Sequence, residues 1–595
     1  MPYAAPLSEM RYAMDHMAGF PAVAVLPGYE EATCELVDAV LAEAGRLAGE
    51  VIAPLNRIGD VEGARLENGV VRAPRGFADA WRQFARGGWN GVPFDPEFGG
   101  QGLPWVVATA VQEMWQGASL SFGLAPLLVQ GVIVALTAHG TPEQKARYLP
   151  PLIEGRWTGT MNLTEPQAGT DLGALRTRAT PAPDLGPDKW RIQGQKIFIT
   201  WGDHDMAENI VHLVLARAPD APAGSKGISL FVVPKMLVDD DGRVGAHNDL
   251  RVVSLERKLG IHGSPTCVMA YGDNGGAVGE LVGPVHGGLR CMFSMMNDAR
   301  VSVGVQGLGV AEQAWQQAVA YARSRIQGRA VGRDEPASAI IHHPDVRRML
   351  LWMKSHLMAM RGLAYLAAAA HDTALRHPDA TTRAAAQVRL DLLTPIVKSW
   401  LTETGCAITS EAVQVHGGMG FIEETGVAQL FRDARILPIY EGTNGVQAQD
   451  LVARKLALDG GAAMRALLDE ASSTAGAATG TPQLADIGAP LADAIRTARQ
   501  ATDWMVDRIR AGAMADALAG SLPYLNLSAT VIGGWLLVKG ALSAAAGGTG
   551  DPAFLATQAG LARFFAAHVL PQTAGLAAAA TAGAAPVMGP APDLL

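Results

Sequence analysis

The spacing of apolar residues changes twice along this chain of 595 residues. Up to about residue 158, apolar side chains recur every three or four positions, as in the stretch from Cys34 to Asn56, which is typical of amphipathic helices. Between about 159 and 282, short runs rich in β-branched and aromatic residues are separated by Gly, Pro, Asp and Asn, which predicts strands. Helical spacing returns near Gly287 and predicts helices for the remainder.

A chain of this length exceeds what one hydrophobic core can hold, so we place domain boundaries where the spacing changes. The predicted fold class is a multidomain α+β protein with a central antiparallel β-domain between helical domains. The predicted domains are an N-terminal helical domain, the β-domain, a C-terminal helical bundle and an additional helical domain, at 1–158, 159–282, 283–455 and 456–595.

Two local features are expected within the helical domains. The run from Ala384 to Val415 contains Pro395, which predicts an interruption because proline removes a helix N–H donor. The segment 472–482 is rich in Ser, Thr, Gly and Pro, and it predicts an exposed loop near the start of the last domain.

Charge and cysteine usage narrow the class of protein. The formal net charge of −9 favours solubility and gives no reason to expect a nucleic-acid partner. Four cysteines without a CxxC pair favour a reducing cytoplasm over a disulfide framework, and no metal site is predicted. The N-terminus lacks the order of a signal peptide, and the richest apolar region, 531–542, contains two glycines and a lysine. We therefore expect a cytoplasmic protein without a transmembrane segment.

One carboxylate, Glu441, is a candidate catalytic base. It lies in RDARILPIYEGTNGVQ, between a tyrosine and a Gly-Thr-Asn-Gly turn. A base that removes a carbon-bound proton must be partly desolvated and close to its substrate, and the glycine behind it allows a close approach. Desolvation would raise its pKa above the ordinary value of about 4.3. The same position is also consistent with a glutamate that caps the helix predicted to follow.

Three other motifs are candidates for binding phosphate or a cofactor. MNLTEPQAGTDL, Met161 to Leu172, offers hydroxyls and consecutive N–H groups, although it also fits a polar turn. QVHGGMGF, Gln414 to Phe421, could lie against a pyrophosphate or could simply end a helix. Arg325, at a predicted helix end, could pair with a phosphate or be solvated.

Eight motifs follow one another between about 90 and 455. They are PEFGGQGLP, HGTPEQKARYLPPLIEG, MNLTEPQAGTDL, KIFITWG, RKLGIHGSPT, MMNDARVSVGVQGLG, QVHGGMGF and IYEGTNGVQ. In this order they resemble the acyl-CoA dehydrogenase family. The additional segment after 455 adds a resemblance to the long bacterial form of that family, the 3-methylmercaptopropionyl-CoA dehydrogenase-like branch.

The resemblance implies FAD held between the β-domain and a four-helix C-terminal bundle. It implies dehydrogenation of a fatty acyl-CoA or 3-methylmercaptopropionyl-CoA to the trans-2-enoyl-CoA, with Glu441 as base and electrons passed to an electron-transferring flavoprotein. Several FAD contacts would come from a neighbouring subunit, which implies a homodimer or a higher homo-oligomer. The implied cofactor contacts are Met161, Leu163, Thr164, Thr170, Phe198, Ile199, Thr200, Arg325, Gln414, Gly417, Gly418 and Thr443. The implied substrate contacts are Thr170, Asn297, Arg300 and Gly442.

Two other functions remain open at this point. An acyl-CoA oxidase would run the same half-reaction with oxygen as acceptor. A DNA-associated flavoprotein would use the additional domain, because one long branch of the superfamily binds DNA there. That role needs a basic surface, whereas the chain from 461 onward has seven basic and nine acidic residues.

Overall fold

The computed structural model describes residues 3–547 and 551–594. The N-terminal part is helical, with a small hairpin, β1 (Arg65–Glu67) and β2 (Val70–Arg72). Its first and third helices each continue into a π-helical turn. The N-terminal helices are α1 (Leu7–Tyr12), α2 (Phe20–Val23), α3 (Cys34–Leu47), α4 (Ala53–Glu62), α5 (Phe77–Arg86), α6 (Trp105–Ala118), α7 (Leu120–His139) and α8 (Pro142–Ile153).

A single twisted sheet forms the centre of the molecule. Its strand order is β10-β11-β5-β12-β7-β6-β3, and β4 pairs with β5 and β6. The predicted antiparallel pairing holds for most neighbours, but β3 and β4 each run parallel to β6. The strands of this sheet are β3 (Trp157–Asn162), β4 (Arg178–Pro181), β5 (Lys189–Thr200), β6 (Asn209–Arg217), β7 (Ile228–Pro234), β10 (Leu250–Leu255), β11 (Thr266–Tyr271) and β12 (Ala277–Val282). Two further strands, β8 (Met236–Val238) and β9 (Val244–His247), pair with each other in a separate antiparallel sheet.

Three long helices and a shorter C-terminal segment form the next layer. The predicted interruption at Pro395 is wrong, because one helix runs through it. Pro395 is buried where that helix packs along the other long helices, so tertiary packing outweighs the lost hydrogen bond. The helices are α9 (Gly288–Ser324), α10 (Pro344–Arg376), α11 (Ala380–His416), α12 (Val427–Ala434), α13 (Asn444–Gln449) and α14 (Ala457–Asp459), with a π-helical turn between the last two.

The additional domain is helical, as predicted. The loop expected at 472–482 is wrong for most of its length, because the first helix of this domain continues to Thr479. Alanines on one face of that helix are buried, and its Ser and Thr hydroxyls donate to backbone carbonyls four residues earlier. The helices are α15 (Ala462–Thr479), α16 (Ala485–Arg510), α17 (Met514–Ala519), α18 (Ser521–Ala545), α19 (Pro552–His568), α20 (Thr573–Ala580) and α21 (Ala585–Met588).

Helix α18 joins the additional domain to the N-terminal segment. Lys539 Nζ donates to the carbonyl of Met17 at 2.8 Å, and His16 Nδ1 lies 2.7 Å from Ser543 Oγ. Helix α18 also packs against helices α10 and α11. The additional domain therefore packs against both the N-terminal segment and the long helices of the bundle.

Within residues 3–547 and 551–594, three helices are long and apolar enough, by length and composition, to cross a membrane: Leu120–His139, Ser521–Ala545 and Pro552–Ala580. In the first two, 83% and 78% of the most apolar window is buried within the fold, as in helices that run through a protein core. The third buries 39% of its window. The expected absence of a transmembrane segment is therefore not supported by length and composition alone. It stays a prediction.

Candidate active site

A cavity of about 1040 Å³ opens where the sheet meets helices α7 and α9 and the segment 432–454. Its lining combines threonine hydroxyls and glycines with aliphatic side chains and methionines. Of the residues implied by resemblance, the following line this cavity: Met161, Leu163, Thr164, Thr170, Phe198, Ile199, Thr200, Arg300, Glu441, Gly442 and Thr443.

A buried ion pair fixes the loop that follows strand β3. Lys196 Nζ donates to Glu165 Oε1 at 2.9 Å and to the carbonyl of Leu163 at 2.9 Å, and both charged side chains are buried. Burial would raise the pKa of Glu165, but Lys196, Thr177 and a backbone N–H hold it at about 2. The loop therefore presents Thr164 to the cavity from a rigid base.

Phe198 enters the cavity from a β-bulge. The pairing of β5 with β11 shifts its register opposite this residue, and its φ of 59° is in the left-handed region, which bulky residues rarely adopt. The side chain remains 59% exposed, although it is aromatic. Backbone strain of this kind is concentrated at binding and catalytic sites, where it directs a side chain towards a ligand.

Glu441 projects from a strained turn, and it does not cap a helix. Its φ is 56° and that of Gly442 is 81°. The N-cap of helix α13 is Thr443, whose hydroxyl accepts a hydrogen bond from the backbone N–H of Val446 at 3.3 Å. Gln447 Nε2 donates to the carbonyl of Glu441 at 3.3 Å, which holds the turn against the helix. The helix-cap interpretation of Glu441 is therefore excluded.

The electrostatic surroundings of Glu441 suit a base that works near neutral pH. Burial raises the pKa of Glu441 to about 7, while the positive charges of Arg300 and Lys398 oppose that rise. A carboxyl group with this pKa ionises near neutral pH and then holds an abstracted proton more firmly than an ordinary glutamate does. The arrangement therefore supports proton abstraction from a weakly acidic position.

Arg300 and Asn297, on helix α9, have different environments. Arg300 is buried and lines the cavity, and its Nε has no hydrogen-bond partner within the described residues. Its Nη1 donates to Asn297 Oδ1 at 3.2 Å. Asn297 is exposed and does not line the cavity. Arg300 is thus the one of the two placed to meet a ligand, and Asn297 orients it.

Four residues implied to bind the cofactor lie outside the cavity. Arg325, Gln414, Gly417 and Gly418 are exposed near the far ends of helices α9 and α11. Phe421, beside them, is 86% exposed. The structure therefore does not bring these four residues to the cavity of their own chain.

Reasoning from the sequence missed the groups behind the turn that carries Glu441. Tyr440 donates through its hydroxyl to Gln306 Oε1, and Gln306 Nε2 donates to Gln116 Oε1 at 3.3 Å, which links the turn to helices α9 and α6. Lys398 is fully buried and donates to Asn444 Oδ1 at 3.1 Å. A lysine inside a helical pattern gives no signal of burial, so only the motif residue Asn444 could have been suspected.

Four family models match consecutive parts of the chain. They describe the acyl-CoA dehydrogenase N-terminal domain at residues 38–156, the middle domain at 160–273 and the C-terminal domain at 286–456. A model described as acetyl-CoA dehydrogenase C-terminal like matches residues 462–590. The chain belongs to the acyl-CoA dehydrogenase family. It is therefore an FAD-dependent oxidoreductase, and the predicted fold class is confirmed.

Curated relatives of this acyl-CoA dehydrogenase cover most of its length. It is 48% identical to the 3-methylmercaptopropionyl-CoA dehydrogenase of Ruegeria pomeroyi, over 96% of each chain. It is 35% identical to a broad-specificity linear acyl-CoA dehydrogenase of Mycobacterium tuberculosis, over 84% of each. Identity to a butyryl-CoA dehydrogenase of Syntrophomonas wolfei is 37%, over 71% of each. The resemblance to the long bacterial form is thus confirmed.

Solved structures share the fold of this acyl-CoA dehydrogenase, including its additional domain. Caenorhabditis elegans ACDH-11, solved with C11-CoA, aligns with a TM-score of 0.77 at 21% identity, over 95% of this chain and 91% of that one. An acyl-CoA dehydrogenase from Bacillus anthracis, solved with FAD, aligns with a TM-score of 0.72 at 19% identity, over 95% and 90%.

The cavity residues fit a flavin. The strained, exposed ring of Phe198 offers an aromatic edge to a flat ring system, and the threonine hydroxyls beside it offer polar partners. Glu441 lines the same cavity, so its carboxyl group and the residues that would hold a flavin face a common space.

Proposed function

We propose that this acyl-CoA dehydrogenase oxidises 3-methylmercaptopropionyl-CoA and short fatty acyl-CoA thioesters, with an electron-transferring flavoprotein as acceptor. The observation that carries the mechanism is Glu441 on the wall of the cavity, with its pKa raised to about 7. The substrate assignment rests on the relative from Ruegeria pomeroyi, which covers 96% of this chain at 48% identity. The soft lining of Met161, Met296 and Phe293 suits a thioether sulfur.

The residues then act as follows. The backbone N–H of Glu441 makes no hydrogen bond within the described residues, so it is free to donate to the thioester carbonyl. That donation stabilises the negative charge that develops on the oxygen and acidifies the α-carbon. The carboxylate of Glu441 accepts the α-proton. FAD bound in the cavity supplies the acceptor for the hydride that leaves the β-carbon.

We also propose the four domains at the predicted boundaries, the remaining contacts with cofactor and substrate, and a cytoplasmic location. The cysteines are all free in the described residues, which is consistent with a reducing compartment. The mechanism involves no metal. The additional domain is proposed to have a structural role rather than to bind DNA, because its composition is slightly acidic.

The substrate proposal predicts a specific ranking of rates. Anaerobic flavin reduction should be faster with 3-methylmercaptopropionyl-CoA than with pentanoyl-CoA, which differs only by CH₂ in place of sulfur. Palmitoyl-CoA should be at least about tenfold slower than either, because an ill-fitting chain loses 1–3 kcal/mol of transition-state binding. Stopped-flow measurement over this panel gives the ranking. A fastest rate with palmitoyl-CoA would contradict the proposed substrate class.

The same preparation tests the acceptor. With reduced enzyme, reoxidation by electron-transferring flavoprotein should be much faster than reoxidation by dissolved oxygen. Rapid formation of hydrogen peroxide in air, without the flavoprotein, would instead establish the oxidase alternative.

The proposed homodimer predicts an effect of Arg325 on FAD retention. Arg325 is exposed and lies away from its own chain's cavity, so Arg325→Ala should weaken FAD binding only if a second subunit brings the two together. Loss of a charge-assisted contact costs about 1.5–3 kcal/mol, or tenfold or more in Kd. Arg323→Ala, which removes an exposed arginine from the same helix end, is the matched control. Light scattering that shows a monomer, with unchanged FAD binding by Arg325→Ala, would contradict the dimer.

A further inference from the structure

Lys398 lies behind the turn that carries Glu441. It is on helix α11, and its side chain is fully buried. An ammonium group has three donors, yet the described residues give Lys398 a single hydrogen bond, to Asn444 Oδ1 at 3.1 Å. A buried charge with so few partners is costly to maintain, so its position requires an explanation beyond packing.

Asn444 connects Lys398 to the catalytic turn. Its backbone N–H donates to the carbonyl of Pro438 at 3.0 Å, which closes the turn that contains Glu441. Its side-chain Nδ2 donates to Glu403 Oε2 at 3.0 Å, and its Oδ1 also accepts from Thr402 Oγ1 at 3.2 Å. The turn is thereby clamped onto helix α11, with Lys398 as the only charged donor to Asn444 in the described residues.

Glu441 and Lys398 are each influenced by a different set of neighbouring charges. Glu441 is influenced by two positive charges, Arg300 from helix α9 and Lys398 from helix α11. Lys398 in turn is influenced by Glu441, Glu403 and the thiol of Cys406, which favour its charged form, and by Arg300, which opposes it. Burial lowers the pKa of Lys398 to about 7. The carboxyl of Glu441 and the ammonium of Lys398 therefore titrate in the same range and influence each other.

Two further charged residues affect Glu441 indirectly, through Arg300. Asp450 and Arg454 lie on the cavity wall, form an ion pair at 3.1 Å and act on Arg300 with opposite signs. Their effects on Arg300 partly cancel, whereas Lys398 acts on Glu441 directly. Lys398 is thus the group whose removal changes the charge balance at Glu441 without removing a residue from the cavity wall.

We infer that Lys398 is a positioning residue for the dehydrogenation: it clamps the turn through Asn444, and its charge keeps the carboxylate of Glu441 ionised and ready to accept the α-proton. The inference rests on the proposed role of Glu441 as base. Lys398 touches neither substrate nor flavin, since it does not line the cavity. Its effect is therefore a shift in the pH dependence of the chemical step rather than a change in substrate binding.

Two neutral variants separate charge from hydrogen bonding. Lys398→Met removes both, whereas Lys398→Gln keeps a donor for Asn444. The pH profile of anaerobic flavin reduction at saturating acyl-CoA should show its acid limb moved upward by about one pH unit in both variants, because an opposite charge nearby lowers a carboxyl pKa by one unit or more. Thr402→Val removes a neutral donor to the same Asn444 oxygen and should leave the midpoint unchanged. FAD content and thermal unfolding of each holoenzyme are measured alongside.

Lys398→Arg keeps the test decisive even if the neutral variants do not accumulate. A guanidinium stays charged throughout the range, so its midpoint should lie at or below that of the wild type. A midpoint unmoved in the neutral variants, or raised by more than half a unit in Lys398→Arg, would overturn the inference. Glu441→Gln is assayed in parallel. If this variant still reduces its flavin, Glu441 is not the base. If it does not, but the Lys398 variants keep the wild-type midpoint, Glu441 remains the base and only the role of Lys398 is overturned.

Discussion

Glu441→Gln is expected to retain FAD and bind acyl-CoA but to slow anaerobic flavin reduction by about 10²–10⁴-fold, the usual effect of removing a general base. The amide has the shape of the carboxyl group and cannot accept the α-proton. Stopped-flow bleaching beside a binding titration separates the chemical step from binding. Wild-type reduction should itself rise with pH through about 7, because only the ionised form of Glu441 accepts a proton.

Glu256→Gln is the matched control, since Glu256 is another carboxylate that lines the cavity. It should reduce its flavin at close to the wild-type rate. If Glu441→Gln stays within about tenfold of the wild type, a smaller effect than a general base gives, then the base lies elsewhere. Two other carboxylates are poor substitutes, because Glu165 is held by Lys196 and Asp298 does not line the cavity.

The largest loss of stability is expected from Arg361→Met. Arg361 is fully buried between helices α6, α9 and α10, and its Nη2 donates to Glu113 at 2.7 Å and to Glu312 at 2.9 Å. Its Nη1 also donates to Glu9, in the N-terminal segment, at 3.2 Å. Removing the cation leaves buried carboxylates without their partner, which costs about 3–5 kcal/mol.

Thermal unfolding of the holoenzyme measures this effect. Arg389→Met is the control, because the ion pair of Arg389 with Glu470 is near the surface and such pairs contribute about 1 kcal/mol or less. The double variant Arg361→Met with Glu113→Gln should recover part of the loss, since one buried charge is then removed. Equal changes in melting temperature for Arg361→Met and Arg389→Met would show that the buried cluster does not stabilise the bundle.

The order of helices and strands could be predicted because apolar spacing reports which face of each element is buried. Local propensity failed where packing decided the outcome. Pro395 is carried within a helix by its neighbours in the bundle, and residues 472–479 stay helical because buried alanines pack against the next helix. The parallel pairing of β3 and β4 with β6 is a property of the sheet topology, which periodicity does not report.

The candidate site shows the same contrast between features that local sequence predicts and features that packing decides. Glu441 and the loop at Met161 were predicted because glycine-flanked motifs have a chemistry that can be reasoned about, and the structure places both on one cavity. The strain at Phe198 and the clamp by Lys398 and Asn444 depend on contacts between distant segments. Such contacts leave no periodic or compositional signal in a single sequence.

The central claim is that Glu441 removes the α-proton, and exchange of that proton with solvent tests it most directly. An acyl-CoA with sulfur in place of its β-carbon has α-protons but no β-hydride to lose, so proton removal is observed without oxidation. Incubated with the holoenzyme in deuterium oxide and followed by mass spectrometry, this thioester should gain α-deuterium with the wild type and with Glu256→Gln. With Glu441→Gln it should gain none beyond the rate without enzyme. Equal exchange by the wild type and Glu441→Gln would contradict the assignment of the base.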